Sequence, residues 1–139
     1  MSYLLDTCLV SELIKKTPNE GVVGWVRRQE EARFFLSVLT VGEIAKGIAR
    51  LDDSRRKQRL LEWLERDLLD RFEGRILPVD EKVSLVWGRV TGEAERQGLK
   101  IPVVDGLIAA TALANELVVV TRDTRPMERF GARTLSPWS

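Results

Sequence analysis

Leu117-Val118-Val119-Val120-Thr121-Arg122-Asp123 is the stretch that decides how this chain folds. An apolar, β-branched run without polar alternation reads as a strand buried on both faces, the condition of strands in a helix-covered parallel sheet. Before it, residues 105–116 form an Ala-rich helical segment. Residues 81–97 read as another helix, ended by Gly98, with a short strand at 75–79 ahead of it. The charged stretch 54–72, capped by Asp52 or Asp53, carries Leu60, Leu64 and Leu68 with Leu61 and Leu69 beside them, the stripe of an amphipathic helix. Thr40 opens a helix reaching position 51, after a strand at 34–38. Residues 2–5 read as the first strand, and the helix after it is stopped by Pro18. A second helix starts at Asn19-Glu20 and reaches position 30, and residues 132–135 make an edge strand. Short strands alternating with helices imply an α/β three-layer sandwich with a central, mainly parallel sheet flanked by helices.

Such sheets carry their functional residues at the carboxyl ends of the strands. Asp6 follows the first strand, Asp80 the third, and Asp123 the 117–121 strand, so the three are expected along one edge. At 139 residues the chain suits a single domain, 1–139, with 44% apolar and 31% charged residues, an ordinary globular composition. Lys plus Arg number 22 against 21 acidic residues, so net charge names no partner and a nucleic-acid surface must come from local clustering. Cys8 is the sole cysteine, which excludes an internal disulfide and a cysteine zinc site. The absence of histidine excludes Ser-His and Cys-His catalysis and His-ligated zinc. Carboxylates, hydroxyls, Lys and Arg remain, and carboxylates favour hard cations such as Mg²⁺ or Mn²⁺. With no leader and no apolar run approaching about 18 residues, the expectation is a cytoplasmic protein that does not enter a membrane.

Four carboxylates stand out by position: Asp6, Glu43, Asp105 and Asp123. Each has a structural explanation. Asp6 and Asp105 are natural helix N-caps, Thr40-x-x-Glu43 has the form of a capping box, and Asp123 lies in a turn sequence. Taken together they say more. Both Leu4-Leu5-Asp6 and Val120-Thr121-Arg122-Asp123 set a charge directly after an apolar strand. Two carboxylates about 5 Å apart repel by roughly 3 kcal/mol at an effective dielectric near 20. A gathering of them calls for a cation, a shared proton or a basic partner, and raises at least one acid's pKa in the metal-free protein. Asp80 is fully explained as the N-cap of the helix that follows it.

The residues also match a known pattern. In order, Leu4-Leu5-Asp6-Thr7, Ser37-Val38-Leu39-Thr40-Val41-Gly42-Glu43 with Lys46-Gly47-Ile48, Pro102-Val103-Val104-Asp105-Gly106-Leu107-Ile108-Ala109, and Val120-Thr121-Arg122-Asp123 resemble the PIN-domain ribonucleases. The resemblance runs from Leu4 to Leu135 and is to the toxin members of toxin–antitoxin pairs in particular. It implies that Asp6, Glu43, Asp105 and Asp123 bind Mg²⁺ or Mn²⁺ and support RNA hydrolysis. Thr121 matches a hydroxyl position beside that quartet, a candidate substrate contact. The resemblance further implies a homodimer silenced by a small antitoxin whose tail obstructs the acidic groove. Two departures stand out: Cys8 occupies a position that is commonly Asn, and Pro126-Met127-Glu128-Arg129-Phe130 stands where many members carry an Asp-Phe pair.

Lys46 is a candidate contact for phosphate or an antitoxin carboxylate, with simple solvation as the alternative. The basic run Arg55-Arg56-Lys57 with Arg59 reads first as a solvated helix face and second as a phosphate contact. Trp25, Trp63, Trp87 and Trp138 read as core or interface anchors. A phosphoacceptor receiver domain lacks its paired carboxylate near strand one, where Leu5 precedes Asp6. A haloacid-dehalogenase-like phosphatase would need Asp where Cys8 stands. The remaining alternative is a PIN-like module that binds RNA or a partner without cleaving.

Overall fold

The computed structural model describes residues 1–139. Its strands are β1 (Tyr3–Leu5), β2 (Phe34–Ser37), β3 (Ile76–Leu77), β4 (Val118–Val120) and β5 (Thr134–Leu135), in one five-stranded sheet of order β3-β2-β1-β4-β5. Every neighbouring pair is parallel, so the sheet expected to be mainly parallel is parallel throughout. Successive side chains on a strand point to opposite faces, which divides the core in two. Tyr3, Leu5, Phe34, Leu36, Val118 and Val120 pack on one side. That side is covered by α1 (Thr7–Leu13), α2 (Glu20–Arg27), α3 (Val38–Ala49) and α4 (Arg55–Glu62). Leu4 and Val119 point the other way, against Val83, Ile108 and Met127. After a short α5 (Leu69–Arg71), that second layer is built from α6 (Glu81–Arg96), α7 (Val103–Ala114) and α8 (Arg125–Phe130). The Ala-rich composition of α7 has a cause: Ala109, Ala110 and Ala112 are fully buried and let the helix lie close to its neighbours.

Several boundaries differ from expectation for local reasons. Ser37, not Thr40, caps α3: its hydroxyl accepts the Leu39 N–H at 3.0 Å. Thr40 is therefore inside the helix and wholly buried, and Thr40-x-x-Glu43 is not a capping box. Ser54 rather than Asp52 or Asp53 caps α4, accepting the Lys57 N–H at 3.1 Å. The long 54–72 helix forms, but its middle, Trp63–Leu68, widens to π geometry. A stripe repeating every four residues drifts by about 40° per step on a 3.6-residue helix, and widening the turn keeps Leu64 and Leu68 on the core, where both are buried. The unexpected element is α8. Pro126 sits in its first turn and Gly131, at φ 97°, ends it in the left-handed conformation, the proline-inside, glycine-outside signature of a short helix.

The strand order fixes where chemistry can occur. The chain winds from β1 through β2 to β3 on one side, then returns to lay β4 and β5 on the other side of β1. The carboxyl ends of β1 and β4 thus flank the topological switch point, the place where open parallel sheets leave a crevice.

Candidate active site

Asp6 leaves β1 in extended conformation and is the N-cap of α1. Its Oδ1 accepts the Thr7 N–H at 2.8 Å, so the capping role is real, but it uses one oxygen only. Oδ2 accepts the Thr121 hydroxyl at 2.8 Å. The parallel register that pairs Leu5 with Val120 brings Thr121 to this spot at the end of β4. Thr121 is 2% exposed and spends its proton on Asp6, so its hydroxyl faces the carboxylate and not the solvent where a substrate would lie.

Glu43 projects from the second turn of α3. With no cap to make, its Oε1 accepts the Thr7 hydroxyl at 2.6 Å. Asp105 lies in the first turn of α7 but does not cap it, since Pro102 holds the N-cap position and no side chain bonds there. Its neighbour Gly106 lets α7 come close to α6 and α8: a Cβ on Gly106 would stand 3.3 Å from Trp87 Nε1 and 3.4 Å from Phe130 Cε2. Asp123 is exposed, and both its oxygens are taken by Arg125, at 2.9 Å from Nε and 3.1 Å from Nη2.

The electrostatics join the four. Burial pushes the Asp6 carboxyl above the ordinary carboxylate value against the pull of its Thr121 and Thr7 hydrogen bonds, and the charge of Glu43 adds to the rise. Asp105 is raised as well, first by burial and then by Asp6, Glu43 and Asp123 in turn, so the other three acids all lie within its electrostatic reach. Like-charge repulsion therefore contributes as the sequence led us to expect, behind desolvation. Asp123 goes the other way, held below the usual range by its hydrogen bonds from Arg125.

Around this set, Asp80 caps α6 by accepting the Val83 N–H at 2.9 Å, as its sequence context implied. Lys46 is exposed on α3, three residues beyond Glu43. Cys8 is half-buried; its sulfur lies 3.4 Å from the Arg122 backbone nitrogen, 3.5 Å from Thr121 Oγ1 and 3.9 Å from Asp6 Oδ2. Burial raises the Cys8 thiol above its ordinary value. Lys57, from the basic run, turns its ammonium to the Leu51 carbonyl at 3.0 Å and so closes the end of α3. Trp25 is core, stacked edge-on to Tyr3 with ring centroids 5.0 Å apart. Thr7 was not singled out by sequence reasoning; its only signal is a hydroxyl directly after Asp6.

As the side chains stand, no point gathers three acidic or thiol groups closely enough to hold an ion. Asp123 is turned to Arg125. The donor chemistry nevertheless fits a hard divalent cation, because every candidate donor is a carboxylate oxygen and the burial and repulsion that raise Asp6 and Asp105 are relieved by positive charge.

A wholly parallel sheet with carboxylates from separate elements set around the carboxyl ends of its central strands, within electrostatic reach of one another, defines a class of α/β protein whose site chemistry is acidic. The family model described as PIN domain matches residues 3–132, and the chain belongs to the PIN-domain family. It is 39% identical over 135 residues to Toxin FitB of Neisseria gonorrhoeae, covering 97% of each chain. It is 36% identical over 135 residues to VapC ribonuclease Y4jK of Sinorhizobium fredii, covering 97% of this chain and 96% of that one. Among solved structures, that of FitAB bound to an IR36 DNA fragment superposes with a TM-score of 0.92 at 37% identity, covering 99% of this chain and 96% of the other.

Proposed function

We propose that this chain is a Mg²⁺- or Mn²⁺-dependent endoribonuclease that acts as the toxin of a toxin–antitoxin pair. The observation that carries the reading is the hydrogen-bonded placement of Asp6 and Glu43 at the end of β1, through Thr7 and Thr121, with Asp105 close enough for the other acids to add to the rise that burial gives its carboxyl. Relatives named as a toxin and as a ribonuclease support the activity, and the FitAB complex supports a partner protein. Asp6, Glu43, Asp105 and Asp123 are the residues that would hold the cation. When bound, a divalent cation supplies Lewis-acid activation of a water and neutralises charge at the phosphate under attack.

The chain's own residues do the rest. Asp6 is fixed by Thr121 and the Thr7 N–H, so its orientation is set before any ligand arrives. Asp123 carries its own counter-charge in Arg125 and must exchange that partner to join the other acids. Lys46, exposed on the same helix as Glu43, is the proposed contact for substrate phosphate or for an antitoxin carboxylate, with Thr121 serving the site through Asp6. We further propose one domain over residues 1–139, a cytoplasmic location and a homodimer bound by a small antitoxin. No helix is long and apolar enough to cross a membrane.

The test is RNA cleavage with and without chelator by wild type, Asp6→Asn and Asp105→Asn. Metal-dependent cleavage by wild type and its loss in both variants is expected. Equal cleavage by all three proteins would overturn the assignment. The turned-away Asp123 favours one alternative, a module that binds RNA or a partner without cleaving. Wild-type protein that binds Mn²⁺ and RNA yet leaves the RNA intact would establish it.

A further inference from the structure

Thr7 is the one residue hydrogen-bonded to two of the four acids. Its backbone N–H goes to Asp6 Oδ1 at 2.8 Å and its hydroxyl to Glu43 Oε1 at 2.6 Å. The geometry points to Thr7 as a positioning residue that sets the orientation of Glu43 relative to Asp6. This rests on the reading of those acids as ion ligands. Glu43 accepts no other side-chain hydrogen bond, and a long carboxylate free to rotate loses rotamer freedom on being ordered. Thr7 orders it in advance. A hydroxyl has one proton, and the short contact assigns it to Glu43, as a charge-assisted bond of that length requires. Thr40 Oγ1, wholly buried on the same helix as Glu43, lies 3.5 Å from the Thr7 hydroxyl oxygen. Thr7 is thus bracketed by two α3 side chains one turn apart, and its β-branched χ1 has few alternatives. The link joins the first turn of α1 to the second turn of α3.

Thr7→Val deletes the hydroxyl while keeping shape and the N–H to Asp6, and Thr7→Ser restores the hydroxyl without the methyl. Mn²⁺ affinity of the purified chain, read by the electron paramagnetic resonance of free Mn²⁺, is measured beside RNA-cleavage kcat and KM. Thr7→Val is expected to weaken Mn²⁺ binding by about 10–100-fold, the usual effect of losing a group that orients a ligand. It should lower kcat with KM unchanged, shift the metal-free thermal midpoint by only a few degrees, as loss of one hydrogen bond does, and be rescued by Thr7→Ser. Wild-type Mn²⁺ affinity in Thr7→Val, or equal impairment of Thr7→Ser, would overturn the role of Thr7. Asp6→Asn separates the two levels. If it too binds Mn²⁺ like wild type, the site reading itself fails; if it loses Mn²⁺ while Thr7→Val does not, only the Thr7 inference fails.

Discussion

The four carboxylates near the strand ends fall into two unlike halves. In the inner half, Asp6 and Glu43 are tied to the ends of β1 and the flank of α3 by short hydrogen bonds from Thr7 and Thr121. In the outer half, Asp105 has no hydrogen-bond partner to hold it and Asp123 faces an arginine on an exposed turn. Asp6 and Asp123 also shift in opposite directions, one raised mainly by burial and the other lowered by Arg125. The difference assigns labour under the proposed function: the half held by Thr7 and Thr121 is oriented in advance, while half-buried Asp105 and exposed Asp123 are free to rearrange. An exposed ion pair such as Asp123–Arg125 is weak in water and readily exchanged.

If the inner half is the anchor, its loss should cost most. Asp6→Asn is expected to reduce metal-dependent RNA cleavage by on the order of 100-fold or more, beyond the 10–100-fold typical of groups that merely orient a ligand. A smaller loss than that caused by Asp123→Asn, measured on the same RNA, would reverse the two halves. Thr121→Val comes next. It removes the donor to Asp6 Oδ2, so Mn²⁺ affinity should fall by about 10-fold and the Asp6 carboxyl should rise further. Nuclear magnetic resonance titration of the Asp6 carboxyl checks the second part, and an unmoved titration curve would contradict it.

The third expectation concerns pH. In the metal-free protein Asp6 and Asp105 hold protons more tightly when folded than when unfolded. The native state then binds more protons, so stability is present below the ordinary carboxylate value and is lost as pH rises through the raised folded values. Asp123, lowered, contributes with the opposite sign and in a more acidic window. Urea midpoints in chelator should therefore decline as pH rises above the ordinary carboxylate range, and Mn²⁺ should erase the decline. A midpoint that climbs through that window without metal would count against the buried acids. The smallest effect belongs to Arg125→Ala, which frees Asp123. Cleavage should change by less than about tenfold, as suits an exposed pair, and Mn²⁺ affinity should rise; a loss of Mn²⁺ binding would show that Arg125 supports the site.

Much of this was legible in the residues. The buried run around Val119 and the charge after it gave β4 and Asp123, and Leu4-Leu5-Asp6 gave β1 and its acid, because burial on both faces writes itself as unbroken apolar sequence. The start of α3 is ambiguous in sequence because Ser37 and Thr40 are both good caps, and only the end of β2 decides between them. That choice matters, since it releases Glu43 from a capping box into the crevice. The π segment was not visible because a four-residue stripe suits either helix. Helix α8 was legible in Pro126 and Gly131, but the stretch drew attention only as a departure from a familiar pattern. Thr7 was beyond reach: a hydroxyl's meaning depends on its partner, and Glu43 lies 36 residues away in sequence.

The most direct test of the anchored site is a crystal of the chain grown with Mn²⁺, with anomalous scattering locating the ion. The account predicts a peak at the carboxyl ends of β1 and β4 with Asp6 as a ligand, and Asp123 turned away from Arg125 toward it. An ion bound elsewhere, or none at the strand ends at a Mn²⁺ concentration that supports RNA cleavage, would contradict it.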